Sequence, residues 1–254
     1  MLDSPESRRR LLLGAGAFLL ASCSPAAQQV SASSPGGTPA PAAPATASAT
    51  TEEDEDEGGA AYAVSPSEDL MREHGVLNRV LLIYEEGARR LDAAQEIPSD
   101  ALVSTIEISR RFVEEYHAKL EEEFLFPRFE QAKKLVELVS VLRHQHQVGR
   151  QITDQLQRLA ATATDTPDGR SKTSRLLRAY IHMYRPHEAR EDTVLFPAMR
   201  SILSADAFGK LFDIFEEREQ DALGSDGYSG VVAEVTELER QFGIHELDSY
   251  TARV

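Results

Sequence analysis

The sequence predicts an all-α fold: an antiparallel, up-down-up-down four-helix bundle with additional C-terminal helices. Three observations predict it. Apolar residues recur about every 3.6 positions through four long stretches. The chain carries only 15 Gly in 254 residues and few β-branched runs. One helix–loop–helix unit is also used twice. Its signature is His117-Ala118-Lys119-Leu120-Glu121 followed by Leu125-Phe126-Pro127, and again His187-Glu188-Ala189-Arg190-Glu191 followed by Leu195-Phe196-Pro197. The lone histidines His74 and His146 precede the motif histidines by 43 and 41 residues, which completes the repeat.

Taken in order, the chain opens on an address. Ser7-Arg8-Arg9-Arg10 is a basic start, and the apolar run from Leu11 to Ala21 is too short to span a bilayer. Residues 1–23 therefore read as a signal peptide. Ser-Arg-Arg-x-Leu-Leu is similar to a twin-arginine export signal, and Leu20-Ala21-Ser22-Cys23 resembles a bacterial lipobox, in which Cys23 is lipidated. The resemblance implies an exported lipoprotein held at the periplasm or cell envelope. A plain secretory signal, with Cys23 incidental, is the competing reading. Residues 24–64 read as a tether: Ser24 to Thr51 is uncharged and rich in Pro, Ala and Ser, and Glu52 to Glu57 is a self-repelling acidic run.

The bundle is expected over residues 65–200. Ser65-Pro66-Ser67-Glu68 carries a capping Ser, a Pro at the first helical position and a Glu at the third. The first helix then shows Leu70, His74, Leu77, Leu81 and Tyr84 on one face. Pro98-Ser99-Asp100 caps a second, with Ile106, Val113, His117, Leu120, Glu121 and Phe124 in register. A third is expected from about Gln131 to Ala160, with Leu135, Leu138, Leu142, His146 and Gly149 in one stripe. Thr162 to Ser171 reads as a loop. The fourth presents Leu177, Tyr180, Tyr184, His187, Glu191 and Val194, with Pro186 expected to kink or loosen it. Residues 201–254 form a helical extension. Ser204 caps a helix to about Gln220 with Phe208, Leu211, Phe212 and Phe215 inward, Gly224 to Gly230 breaks it, and Val231 to Phe242 forms the last helix.

The candidate metal ligands are His74, His117, Glu121, His146, His187 and Glu191. Positions i and i+4 on a helix lie on one face, about 5–6 Å apart, so each His-x-x-x-Glu can aim both groups at one point. A carboxylate on an apolar face is costly to bury unpaired, and a metal ion is an economical partner. Imidazole and carboxylate suit iron, manganese or zinc. Two carboxylates shared between terminal histidines favour two iron ions, because they hold two cations close and screen their repulsion.

With these motifs and the Gln145-His146-Gln147 segment, residues 67–200 resemble the hemerythrin-like, or His-His-Glu cation-binding, domain family. The resemblance implies a non-haem di-iron centre that can react with oxygen or nitric oxide, with the four histidines terminal and Glu121 and Glu191 bridging. Two departures matter. Oxygen-carrying members have His-x-x-x-His on the third helix, where this chain has Arg150 after His146, and His-x-x-x-x-Asp on the fourth, where it has His187-x-x-x-Glu191. One nitrogen ligand fewer favours redox turnover or iron binding over reversible oxygen carriage, unless Arg150 fills the gap with a hydrogen bond.

Other residues are expected outside the site. His144 lies about 200° round the helix from His146, His182 about 140° from His187, and His245 in the tail. Tyr84, Tyr180 and Tyr184 are expected to pack the core rather than to hydrogen-bond toward the ligands, and Glu122, Glu123 and Asp192 to form a solvated face unless one of them orients a ligand. The acidic balance, with 42 Asp and Glu against 27 Lys and Arg and a net charge of −15, excludes nucleic acid as a partner. The single Cys excludes a disulfide framework. The functional expectation is a lipid-anchored di-iron protein that binds or reduces a small diatomic molecule or peroxide. The alternatives are an iron-binding or iron-sensing module and a metal-free structural lipoprotein. No protein partner and no catalytic acid can be read from the residues.

Overall fold

The computed structural model describes residues 64–163 and 165–254; residues 1–63, on which the expectations of a signal peptide, a lipidated Cys23 and most of a tether fall, lie outside them. Among the described residues every regular element is helical. The four bundle helices are α1, Pro66–Asp92; α2, residues 99–131; α3, Val136–Leu159; and α4, residues 167–199. Two further helices, α5 at Ala205–Leu223 and α6 at Gly227–Phe242, pack outside the four.

Cross-helix pairs establish the antiparallel arrangement. His74 meets His117 and Tyr84 meets Ser109, so α1 and α2 run oppositely. Glu122 meets His146 while Arg110 reaches the backbone of Arg150, which sets α2 against α3. His146 meets His187 while Gly149 abuts Tyr184, which sets α3 against α4. The ring closes where His74 meets Asp192 and Ser174 reaches the backbone of Ala88, with α1 against α4.

Local chemistry explains most helix ends. Ser65 and Glu68 form a reciprocal capping box, each side chain satisfying the other's backbone N–H, and Pro66 sits where a missing N–H costs nothing. At the second helix the expected cap is absent: Ser99 follows Pro98, and no side chain caps it. Gln131 ends α2 rather than starting α3. Lys133 and Leu135, both left-handed at φ 54° and 52°, turn the chain so that α3 begins at Val136. The predicted loop at 162–171 is shorter than expected, because Thr166 caps a helix that starts at Pro167, its hydroxyl accepting from the Gly169 N–H. Helix α4 continues through Pro186 and leaves α geometry only after Arg190.

That departure falls in corresponding places on α2 and α4, and α2 has a further π-helical stretch at Ser109–His117. Glu121–Leu125 and Glu191–Leu195 are π-helical, and the N–H groups of Phe126 and Phe196 bond five residues back to the carbonyls of Glu121 and Glu191. Pro127 and Pro197 follow each stretch. A proline has no N–H for the carbonyl four residues behind it and crowds that carbonyl, so the turn before it widens. Each widened turn opens at a candidate ligand.

The core is one contiguous set of buried side chains, including Leu70, Leu77, Leu81, Tyr84, Phe112, Leu142 and Leu177. In the extension, α5 buries Leu211 and Phe215, while Phe208 and Phe212 are only half covered. Helix α6 begins four residues earlier than expected, so Gly230 lies inside it. The break is confined to Gly224–Asp226, where Gly224 and the following Gly227 take positive φ. Arg79 forks onto Glu239 at 2.6 and 2.8 Å and fastens α6 to α1.

Candidate metal centre

The bundle brings all six predicted ligands together, each at most 4% exposed. The ring nitrogens form two pairs: His74 Nε2 and His117 Nε2 are 3.1 Å apart, and His146 Nε2 and His187 Nε2 are 3.2 Å apart. Both carboxylates span the pairs. Glu191 lies 3.4 Å from His74 and 3.1 Å from His187, while Glu121 lies 3.3 Å from His146 and 3.9 Å from His117.

The opposite ring nitrogens are all engaged. His74 Nδ1 donates to Asp192 (2.8 Å), His117 Nδ1 to Glu73 (2.6 Å), His146 Nδ1 to Glu122 (3.1 Å) and His187 Nδ1 to Gln145 Oε1 (2.9 Å). These bonds form a closed belt. A residue on α1 holds the histidine of α2, one on α2 holds that of α3, one on α3 that of α4, and one on α4 that of α1. With the proton at Nδ1, the neutral ring has only a lone pair at Nε2. Two such lone pairs facing each other at about 3 Å repel unless a proton or a metal cation lies between them. That separation matches neighbouring nitrogen ligands on one metal ion.

A second observation tests the fit. All four carboxylate oxygens of Glu121 and Glu191 are buried and make no hydrogen bond. Orphaned buried carboxylate oxygens are costly, and metal ions satisfy them. Electrostatics agree. Burial disfavours charge on the His74 ring, but the hydrogen bond to Asp192 and the nearby Glu191 carboxylate override it and raise its pKa to about 10. The same contest at His146, with Glu121 and Glu122 as partners, raises it to about 9. Burial also opposes ionisation of Glu191, yet the His187 and His74 rings beside it hold it well below the carboxylate range. The site draws positive charge, and its residues fit two cations.

The Leu-Phe-Pro motifs wall the site. Phe196 stacks on His74 at 5.4 Å and Phe126 on His146 at 5.6 Å, so each motif covers the lone histidine of a neighbouring helix. On another side Tyr184 meets His187 edge-on at 5.3 Å, and Tyr180 packs on Tyr184 at 4.3 Å. Tyr84 shares a hydrogen bond with Ser109 at 2.6 Å, and all three tyrosines belong to the core as expected.

His144 and His182 are exposed, and His245 lies half-covered beside Glu239 at 3.5 Å. The expectation of a solvated face fails for Glu122 and Asp192, which orient His146 and His74; only Glu123 is exposed, facing Arg218. Their i+1 position beside a ligand points them at the next helix rather than outward. Arg150 does not approach the ligands as a substitute. It donates to Glu122 at 2.7 Å, and with His146 it overcomes burial and lowers that carboxyl to about 2. Glu73 and Gln145 were missed as holders, although each directly precedes a lone histidine. Glu188, also missed, is buried and accepts from Asn78 at 3.0 Å.

A family profile described as hemerythrin HHE cation binding domain matches residues 65–199. Three proteins described as uncharacterized, one from Mycobacterium bovis and two from strains of Mycobacterium tuberculosis, are each 48% identical over 190 residues. The match covers 74% of this chain and 74% of each relative. No solved structure matches.

Proposed function

Because the chain belongs to the hemerythrin HHE cation-binding family, we propose that its buried histidines and glutamates hold a non-haem di-iron centre that binds or reduces oxygen, peroxide or nitric oxide. The observation that carries the two-cation reading is the reach of Glu121 and Glu191, each of which lies near one histidine of either pair. Nitrogen and carboxylate donors together favour iron, with manganese and zinc as competitors. Bound there, iron supplies electron exchange with a small oxidant.

The chain's own residues set the conditions for that exchange. The belt around the Nδ1 atoms fixes every imidazole with its Nε2 turned inward. Phe126 and Phe196 keep bulk water from His146 and His74. Four nitrogen ligands for two ions leave coordination positions for a small ligand, because Arg150 is committed to Glu122. We place the protein at the cell envelope, exported by its N-terminal signal and tethered through a lipid on Cys23. No helix among the described residues is long and apolar enough to cross a membrane.

The test is metal analysis after anaerobic purification of the mature chain, followed by optical spectra on adding oxygen, peroxide or nitric oxide. Two iron ions per chain are expected, with Glu121→Ala and Glu191→Ala losing them and His144→Ala keeping them. Absence of bound metal would sink the proposal. Bound iron with no spectral response would reduce it to iron binding or sensing.

A further inference from the structure

The belt around the histidines is symmetric in position but not in charge. Glu73 and Gln145 occupy equivalent places, each just before a lone histidine and each holding the motif histidine of the next helix. One is a carboxylate and the other a neutral amide. Glu73 is 1% exposed and is further fixed by Tyr116, whose hydroxyl donates to its other oxygen at 2.7 Å. The remaining two holders differ as well. Asp192 is paired with His74 alone among the described residues, whereas Glu122 is shared between His146 and the Arg150 guanidinium.

These differences add rather than cancel. Both imidazoles of the His74–His117 pair are backed by carboxylates that no arginine among the described residues neutralises. In the His146–His187 pair one ring is backed by a carboxylate shared with a cation, and the other by an amide. A carboxylate behind an imidazole pulls on its N–H proton and makes the far nitrogen a stronger donor, and such partners typically change metal affinity by about 10- to 100-fold. We propose that the two cation positions are unequal by construction, with the His74–His117 position filling first and holding its ion more tightly. Glu73 is the residue that sets the difference, as a positioning and polarising group that does not touch the metal.

The inference rests on the two-cation reading above, and the experiment separates the two. Manganese(II) is titrated anaerobically into metal-free protein and followed by calorimetry and electron paramagnetic resonance. Two dissociation constants about 10- to 100-fold apart are expected. One equivalent should give the spectrum of isolated manganese, and the second equivalent should convert it to a coupled pair. His187→Ala should keep the tight ion, and His117→Ala should keep only the weak one. Glu73→Gln, which retains the acceptor for His117, should narrow the gap by loosening the first position. Gln145→Glu should narrow it by tightening the second. Two ions bound with equal affinity, or a gap unmoved by both substitutions, would overturn the inference alone. A single ion per chain would overturn the two-cation reading and the inference with it.

Discussion

Loading the centre with cations near neutral pH should expel one proton for each ion. In the metal-free chain burial works against charge on His74 and His146, yet their carboxylate partners raise them to about 10 and about 9. A cation needs the bare Nε2 lone pair, so both protons must leave, and the two rings belong to different positions. Below these values each position should bind tenfold tighter per pH unit, about 100-fold between pH 6 and pH 8. At about 1.36 kcal/mol per unit, that is on the order of 2.7 kcal/mol per site. The same protons govern metal-free stability. Both folded values lie above the ordinary 6.5, so this stabilisation is fully present below about pH 6.5 and is lost as pH rises through about 9 and 10. Zinc titrated against a competing chelator at pH 6, 7 and 8 measures the slope. Calorimetry in two buffers of different ionisation heat counts the protons. An affinity flat in pH, or a proton count near zero, would refute the assignment of charge to these rings.

Two further substitutions probe what positions the site. A Cβ on Gly149 would lie 2.3 Å from the Tyr184 hydroxyl. Gly149→Ala should therefore cost about 1–3 kcal/mol by overpacking and lower the melting temperature by roughly 2–12 °C. Adding Tyr184→Phe should recover part of that loss, and an unchanged melting curve for the single variant would refute the close approach. Glu239→Ala leaves Arg79 without its fork, a loss of about 1.5–3 kcal/mol. Thermal melting should fall while metal content stays at the wild-type level, and metal loss without a fall in melting would contradict a purely bracing role for α6.

The clustering of the six candidate ligands was legible because their signal is local. His-x-x-x-Glu aims both groups from a single helix face, and the repeat supplies the second copy. The holders were not, because each acts on the next helix: Asp192 looks like one more acid on an acidic surface until α1 brings His74 to it. The repeat did contain the clue, since Glu122 and Asp192 each follow a ligand glutamate and Glu73 and Gln145 each precede a lone histidine. Helix ends with side-chain caps, such as Ser65, could be read directly. The start of α3 could not, because Lys133 and Leu135 adopt left-handed backbone without the glycine that usually marks it. The widened turns at Glu121 and Glu191 were hidden in an otherwise helical pattern, with only the recurring Phe-Pro to betray them.

The closed belt has a consequence for symmetry. The hairpin of α1 and α2 contains one complete holder and histidine, Glu73 with His117, plus an unheld histidine and an unused holder. The hairpin of α3 and α4 has the same inventory. Two identical hairpins around a twofold axis would therefore close the same belt, but each change made in one would be copied into the other. Joining both hairpins in one polypeptide removes that constraint. Only then can an amide stand on one side of the axis while a carboxylate stands on the other.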